Sequence, residues 1–98
     1  MLLAISTYLK PLHDIDPHRK KHLAYLQSLV DQGALVCSGR QTPALGGVII
    51  VHSLSKEEFA QFLEKDPFVT LGLARYDIVE FTPTLCHPKL EALLKSAC

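Results

Sequence analysis

The stretch ALVCSGRQTPALGGVIIVHS, residues 34–53, decides how the chain is arranged. Its ends, ALVCSG over 34–39 and GVIIVHS over 47–53, are short, apolar and rich in β-branched residues, the composition of strands. Between them RQTPALG supplies Pro43 and Gly46, which break regular structure, so the two strands read as a hairpin. Gly46-Gly47 marks the entry to the second strand and not a phosphate loop, because neither a lysine nor a helix start follows it.

Upstream, LLAISTYL over 2–9 is a further strand, ended by KPLH. DPHRKKHLAYLQSLVDQG over 16–33 reads as a helix with Asp16 as N-cap, Pro17 at the first helical position and Gly33 as its stop. Downstream, Ser55 and Glu58 form a capping box that starts a helix at Lys56, with Leu54 able to staple onto Phe59. Asp66-Pro67 ends that helix and opens a short further turn. ARYDIVEFT over 74–82 is the fourth strand, and Pro88 opens a C-terminal helix, PKLEALLKSA, over 88–97. The order β-α-β-β-α-β with a tail helix predicts an α+β, ferredoxin-like fold with an antiparallel sheet, filling one domain over 1–98.

Ten basic and ten acidic residues cancel, so no field attracts a phosphate backbone or an anionic leaflet. Nucleic acid and membrane are not expected partners. The apolar fraction is 48%, yet no apolar run approaches the ~20 residues that cross a bilayer. The first residues lack a basic n-region and a cleavage site, and the chain reads as cytoplasmic. Cys37, Cys86 and Cys98 are far apart with no C-x-x-C, which predicts reduced thiols, neither a disulfide framework nor a thiolate zinc site.

Two helices cover only one face of a four-stranded sheet. In the first strand Leu3, Ile5, Thr7 and Leu9 lie on one side and Ala4, Ser6 and Tyr8 on the other; the third strand sets Val48, Ile50 and His52 against Ile49 and Val51. Both sides are substantially apolar, so a second copy is expected to bury the uncovered one. The expectation is a face-to-face homodimer, alone or within a larger assembly.

The helix over 16–33 carries a chemical irregularity. At ~100° per residue, Leu23, Tyr25, Leu26, Leu29 and Val30 share an arc with His18, Arg19 and His22, so the dry stripe begins polar. A helix N-terminus with Arg19 suits an anionic or oxygen-rich ligand. His22 offers an imidazole, the side chain suited to take a proton and return it near neutral pH, with Asp66 as the candidate acceptor that orients it. A histidine at the rim of an apolar stripe is more often a packed residue, and an aspartate before proline more often a cap. His18 and His22 stand at i and i+4, with Asp14 as a third oxygen, but no H-E-x-x-H is present and no metal or cofactor is expected.

The runs R-x-x-H-L-x-Y-L at 19–26, GALVCSG at 33–39 and DPFVTLGLARYDIVEF at 66–81 together resemble the YCII-related family of small dimeric α/β-barrel proteins. The resemblance implies a ferredoxin-like protomer whose sheets pack back to back, and a cleft with a His and Asp acid/base pair. Those roles fall on His22 and Asp66, with Arg19 and the Ser38-Gly39 strand end beside them. One member of the family removes chloride from a chlorinated hydroxyquinol. Where many relatives continue S-G-P, this chain has Ser38-Gly39-Arg40, so Arg40 is expected to add a cation at the cleft mouth. The expected function is lyase, dehydrochlorinase-like or isomerase-like chemistry on a small oxygenated acid, aromatic or muconate-type. The alternative is a non-catalytic metabolite-binding or assembly module on the same dimeric fold.

Overall fold

The computed structural model describes residues 1–94. Strands β1 (Leu2–Tyr8), β2 (Leu35–Arg40), β3 (Gly47–Val51) and β4 (Ala74–Glu80) form an antiparallel sheet in the order β2-β3-β1-β4. β1 is central: Leu3 pairs with Ile50 of β3 and with Val79 of β4. This is the ferredoxin-like α+β arrangement the element order predicts.

The period of two in β1 separates the faces. Leu2, Ala4 and Ser6 are buried under the helices, while Leu3, Ile5 and Thr7 on the opposite side are only partly covered. Helices α2 (Arg19–Asp31) and α3 (Lys56–Glu64) supply Leu26, Leu29, Phe59 and Leu63 to a core completed by Ile49 and Val51. The capping box starts α3 as expected: Ser55 Oγ accepts from the Glu58 N–H, and Glu58 accepts from the Ser55 N–H, each at 3.0 Å. Gly33, at φ +75°, ends α2 in the left-handed conformation that glycine adopts without a Cβ clash.

The start of the first helical segment differs from the sequence reading. The chain turns helical at α1 (Leu12–Ile15), passes through a 3₁₀ turn over Asp16–His18, and only then enters α2. Asp16 is therefore not the cap of α2; His18 occupies that position without a side-chain cap, and Asp16 binds Arg40 instead. Packing overrides the local Asp-Pro signal, because Ile15 is fully buried with Phe68, Leu73 and Ala74 in a second cluster that fixes the earlier turn.

Helix α4 (Pro67–Thr70) follows the predicted break at Asp66. Helix α5 spans Pro88–Leu94, and the remainder of the predicted tail helix, over 95–97, lies outside the described residues. The expectation of three reduced thiols is corrected at Cys86, which is disulfide-bonded. Absence of a C-x-x-C excludes only a local pair, since spacing along a chain does not report proximity in space. Cys37 is free and exposed; Cys98 lies outside the described residues. Among the described residues no helix is long and apolar enough to cross a membrane.

Candidate functional site

The start of α2, the ends of β1 and β2 and the start of β3 meet at one end of the sheet around a cleft of about 120 Å³. Arg19, His22 and Leu23 form its helical wall, and Ser38, Gly39 and Arg40 its strand wall. An irregularity in β2 directs that second wall. Leu35 pairs with Val51 but Cys37 pairs with Ile50, so Val36 is an extra residue and the alternation shifts after it. Ser38 and Arg40 consequently oppose Ile49 and Gly47 on the helix-facing side.

Asp66 stands behind His22 and is completely buried. It has two structural tasks. As the N-cap of α4 it accepts the Phe68 N–H on Oδ1 at 3.0 Å, and it also accepts the Tyr76 hydroxyl on Oδ2 at 2.6 Å. His22 Nδ1 lies 2.9 Å from both carboxylate oxygens. An ionised carboxylate only accepts, so the network places a proton on His22 Nδ1, and in the neutral imidazole Nε2 is then the ring's acceptor nitrogen. Among the described residues Nε2 has no hydrogen-bond partner. The ring is 13% exposed and stacks on Phe68, with centroids 4.1 Å apart and planes 3° from parallel, which fixes its orientation. Burial, the neighbouring Asp66 charge and their hydrogen bond together hold the Tyr76 phenol far above its ordinary value, so it remains a donor to Asp66.

Most of the residues read from the sequence as candidates meet at this one cleft. His22, Arg19, Ser38, Gly39 and Arg40 all border the cleft, and Asp66 reaches His22 although it is both a cap and a partner. His18 does not border it. The residue is half-buried ahead of α2, its Nδ1 enclosed and without a hydrogen-bond partner. Asp14 lies 3.4 Å from His13, and among the described residues no group of three or more His, Cys, Asp or Glu side chains is placed to hold a metal ion. Arg40 is not a free cation: Nη2 donates to Asp16 Oδ1 at 2.6 Å and Nε to the Tyr8 hydroxyl at 3.1 Å, contacts that raise its already high pKa, Asp16 foremost. Ser6, Tyr8, Phe68 and Tyr76 also border the cleft and were not singled out from sequence. A signal existed for two of them, since Ser6 and Tyr8 are polar positions on the helix-facing side of a central strand.

A split βαβ sheet with a cleft at one end, bordered by an imidazole that a buried carboxylate backs, places the chain among small ferredoxin-like α+β proteins. The chain belongs to the YCII-related family, whose domain it matches over residues 1–82. Among solved structures it is similar to the 5-chloro-2-hydroxyhydroquinone dehydrochlorinase of Burkholderia phenoliruptrix, in complex with 2,5-dihydroxybenzoquinone. The two share 25% identity and superpose with a TM-score of 0.68 over 83% of this chain and 93% of that one. No curated protein sequence matches the chain.

Proposed function

We propose that the cleft is an acid/base site for a small oxygenated ring compound, with His22 as the proton-transfer group and Asp66 as the residue that holds its tautomer. The observation that carries this reading is the placement of Nδ1 within 2.9 Å of both oxygens of a buried carboxylate on a residue that borders the cleft, which leaves Nε2 as the nitrogen free to meet a ligand. Arg19 and the first turn of α2 would hold the anionic group of the ligand, and Ser38 and Gly39 would meet its other edge. The chemistry is elimination or isomerisation: Nε2 takes a proton from the ligand, and the electron pair released either expels a leaving group or shifts along the conjugated system, in which case the protonated imidazole returns the proton at the far end of that system. In dehydrochlorination the leaving group is chloride, and the proton and chloride together account for the HCl removed. The similarity to a dehydrochlorinase supports the elimination arm. The reading includes a homodimer formed through the uncovered face of the sheet.

The test is a titration of the protein with 2,5-dihydroxybenzoquinone and with hydroxylated benzoates while the His22 ring signals are followed by NMR between about pH 5 and 8. Binding should shift those signals and change the pH at which they titrate. Release of chloride from a chlorinated hydroxyquinol then separates an enzyme from a binding module. A ring indifferent to every ligand, in a variant series where His22→Phe is more stable than the parent, would make His22 a packing residue and end this reading.

A further inference from the structure

Arg19 and Arg40 both border the cleft, but their charges are differently committed. Arg40 spans from Asp16 to Tyr8, with its guanidinium carbon 5.5 Å from the centre of the Tyr8 ring. The Arg19 side chain has no ion pair or hydrogen bond among the described residues. The cleft therefore presents one uncommitted cation, although two arginines stand at it.

The Arg40 contact also polarises Tyr8. A guanidinium only donates, so the Tyr8 oxygen is the acceptor at 3.1 Å and the phenol keeps its own proton to give. That proton has no acceptor among the described residues. Tyr8 meets Phe68 edge-on, with centroids 6.1 Å apart, and Phe68 is the ring on which His22 stacks, so phenol and imidazole are fixed to one aromatic support. The space beside them, about 120 Å³, is smaller than the roughly 150 Å³ cavity that accepts benzene. The space holds no more than a single ring, whose substituents must reach into the open mouth of the cleft.

We propose that Tyr8 is a specificity-determining residue: braced by Arg40 and Asp16, its hydroxyl donates to an uncharged oxygen of a single-ring ligand whose one anionic group is met by Arg19. The proposal rests on the reading of the cleft as a ligand site and narrows its ligand class. That class is a singly charged aromatic or quinonoid ring with a hydroxyl or carbonyl oxygen apart from the anion. A ring with two carboxylates is a poorer ligand, because the charge of Arg40 is already matched by Asp16.

The probes are 2-hydroxybenzoate, whose hydroxyl is tied to its own carboxylate, and 2,5-dihydroxybenzoate, which carries the same anion and adds one hydroxyl remote from it, titrated into the parent protein and into Tyr8→Phe. The parent should bind the dihydroxy ring about tenfold more tightly, the scale of one well-placed hydrogen bond. Tyr8→Phe should bind 2-hydroxybenzoate within about twofold of the parent and lose the preference, because removing either partner of one contact has the same effect. Asp16→Asn, which releases Arg40, should raise the affinity for benzene-1,2-dicarboxylate relative to 2-hydroxybenzoate several-fold. A preference that persists in Tyr8→Phe, or a parent that binds both benzoates equally, overturns the role of Tyr8 and leaves the cleft standing. A parent that binds neither at millimolar concentration overturns this proposal together with the ligand site.

Discussion

Asp66 holds the cleft wall together, because three donors converge on a carboxylate with no access to water. Asn at this position offers one acceptor oxygen and a second group that only donates, so at least one of the Tyr76, Phe68 and His22 donors loses its partner. Asp66→Asn should therefore lower stability by about 1–3 kcal/mol in urea unfolding, the cost of a buried group left unsatisfied. His22→Asn should cost less, being at the cleft wall; under the proposed acid/base role it should also lower turnover ~100-fold, the usual scale for a positioned base. If the two act as one unit, as proposed, the turnover loss in the double variant should barely exceed that of His22→Asn alone. Tyr76 adds a pH dependence. Its pKa is raised in the folded protein, by burial first and by Asp66 second, whereas in the unfolded chain the phenol ionises near the ordinary value of about 10. The stability it contributes is complete below that value and is lost as pH rises beyond it, because the unfolded chain then releases a proton the native state retains. Chemical unfolding followed from about pH 8 to 11 should show this decline, and Tyr76→Phe should flatten it while starting from a lower plateau. An unchanged slope in that variant would remove Tyr76 as its source.

At the scale of elements, local signals were legible wherever one short motif determines the geometry. Ser55 and Glu58 announce α3, and Ser55→Ala should remove its cap at a cost of about 1 kcal/mol, visible as a lower melting temperature. Asp66-Pro67 announces α4 in the same way. What was not legible depends on partners distant in the chain. Asp16 and Pro17 carry every mark of a helix start, yet burial of Ile15 against Phe68 and Leu73 moves the start upstream and frees Asp16 for Arg40. The extra residue Val36 in β2 carries no glycine or proline to reveal it, and only the pairing with β3 shows that Ser38 and Arg40 turn toward the cleft. The hairpin loop is held equally tightly. A Cβ added at Gly46 would fall on the backbone carbonyl of Ser6, a neighbour that cannot rotate aside. Gly46→Ala should consequently destabilise the protein by about 3 kcal/mol or prevent its folding, at the severe end of overpacking. Near-parental stability would show that the loop shifts freely against β1.

For the whole molecule, the arrangement of layers leaves one question that the sheet itself poses. The helices cover Leu2, Ala4, Ile49 and Val51, and the register places Leu3, Ile5, Val48, Ile50 and Val79 together on the other face. These five aliphatic side chains adjoin one another across β3, β1 and β4, and Val79 is 45% exposed. Scattered apolar residues are ordinary on a protein surface, but a contiguous group on one sheet face, here bordered by the Arg75–Asp77 ion pair, is the kind of patch a partner covers. A second copy is the simplest occupant, since a two-fold axis through the face makes it complementary to itself. At micromolar concentration sedimentation should then report twice the 10.9 kDa chain mass. Ile50 lies in β3 and pairs with Leu3 of the central strand, so Ile50→Glu buries two like charges near one another in every dimer. That variant should sediment as a monomer while keeping its helices, because the core under α2 and α3 does not include Ile50. Its cleft should weaken only as far as the second copy encloses it, so ligand titration of the monomer measures how much of the site one chain supplies. A parent protein that remains a monomer on concentration to the millimolar range would refute the pairing of sheets and leave the apolar face for another kind of partner.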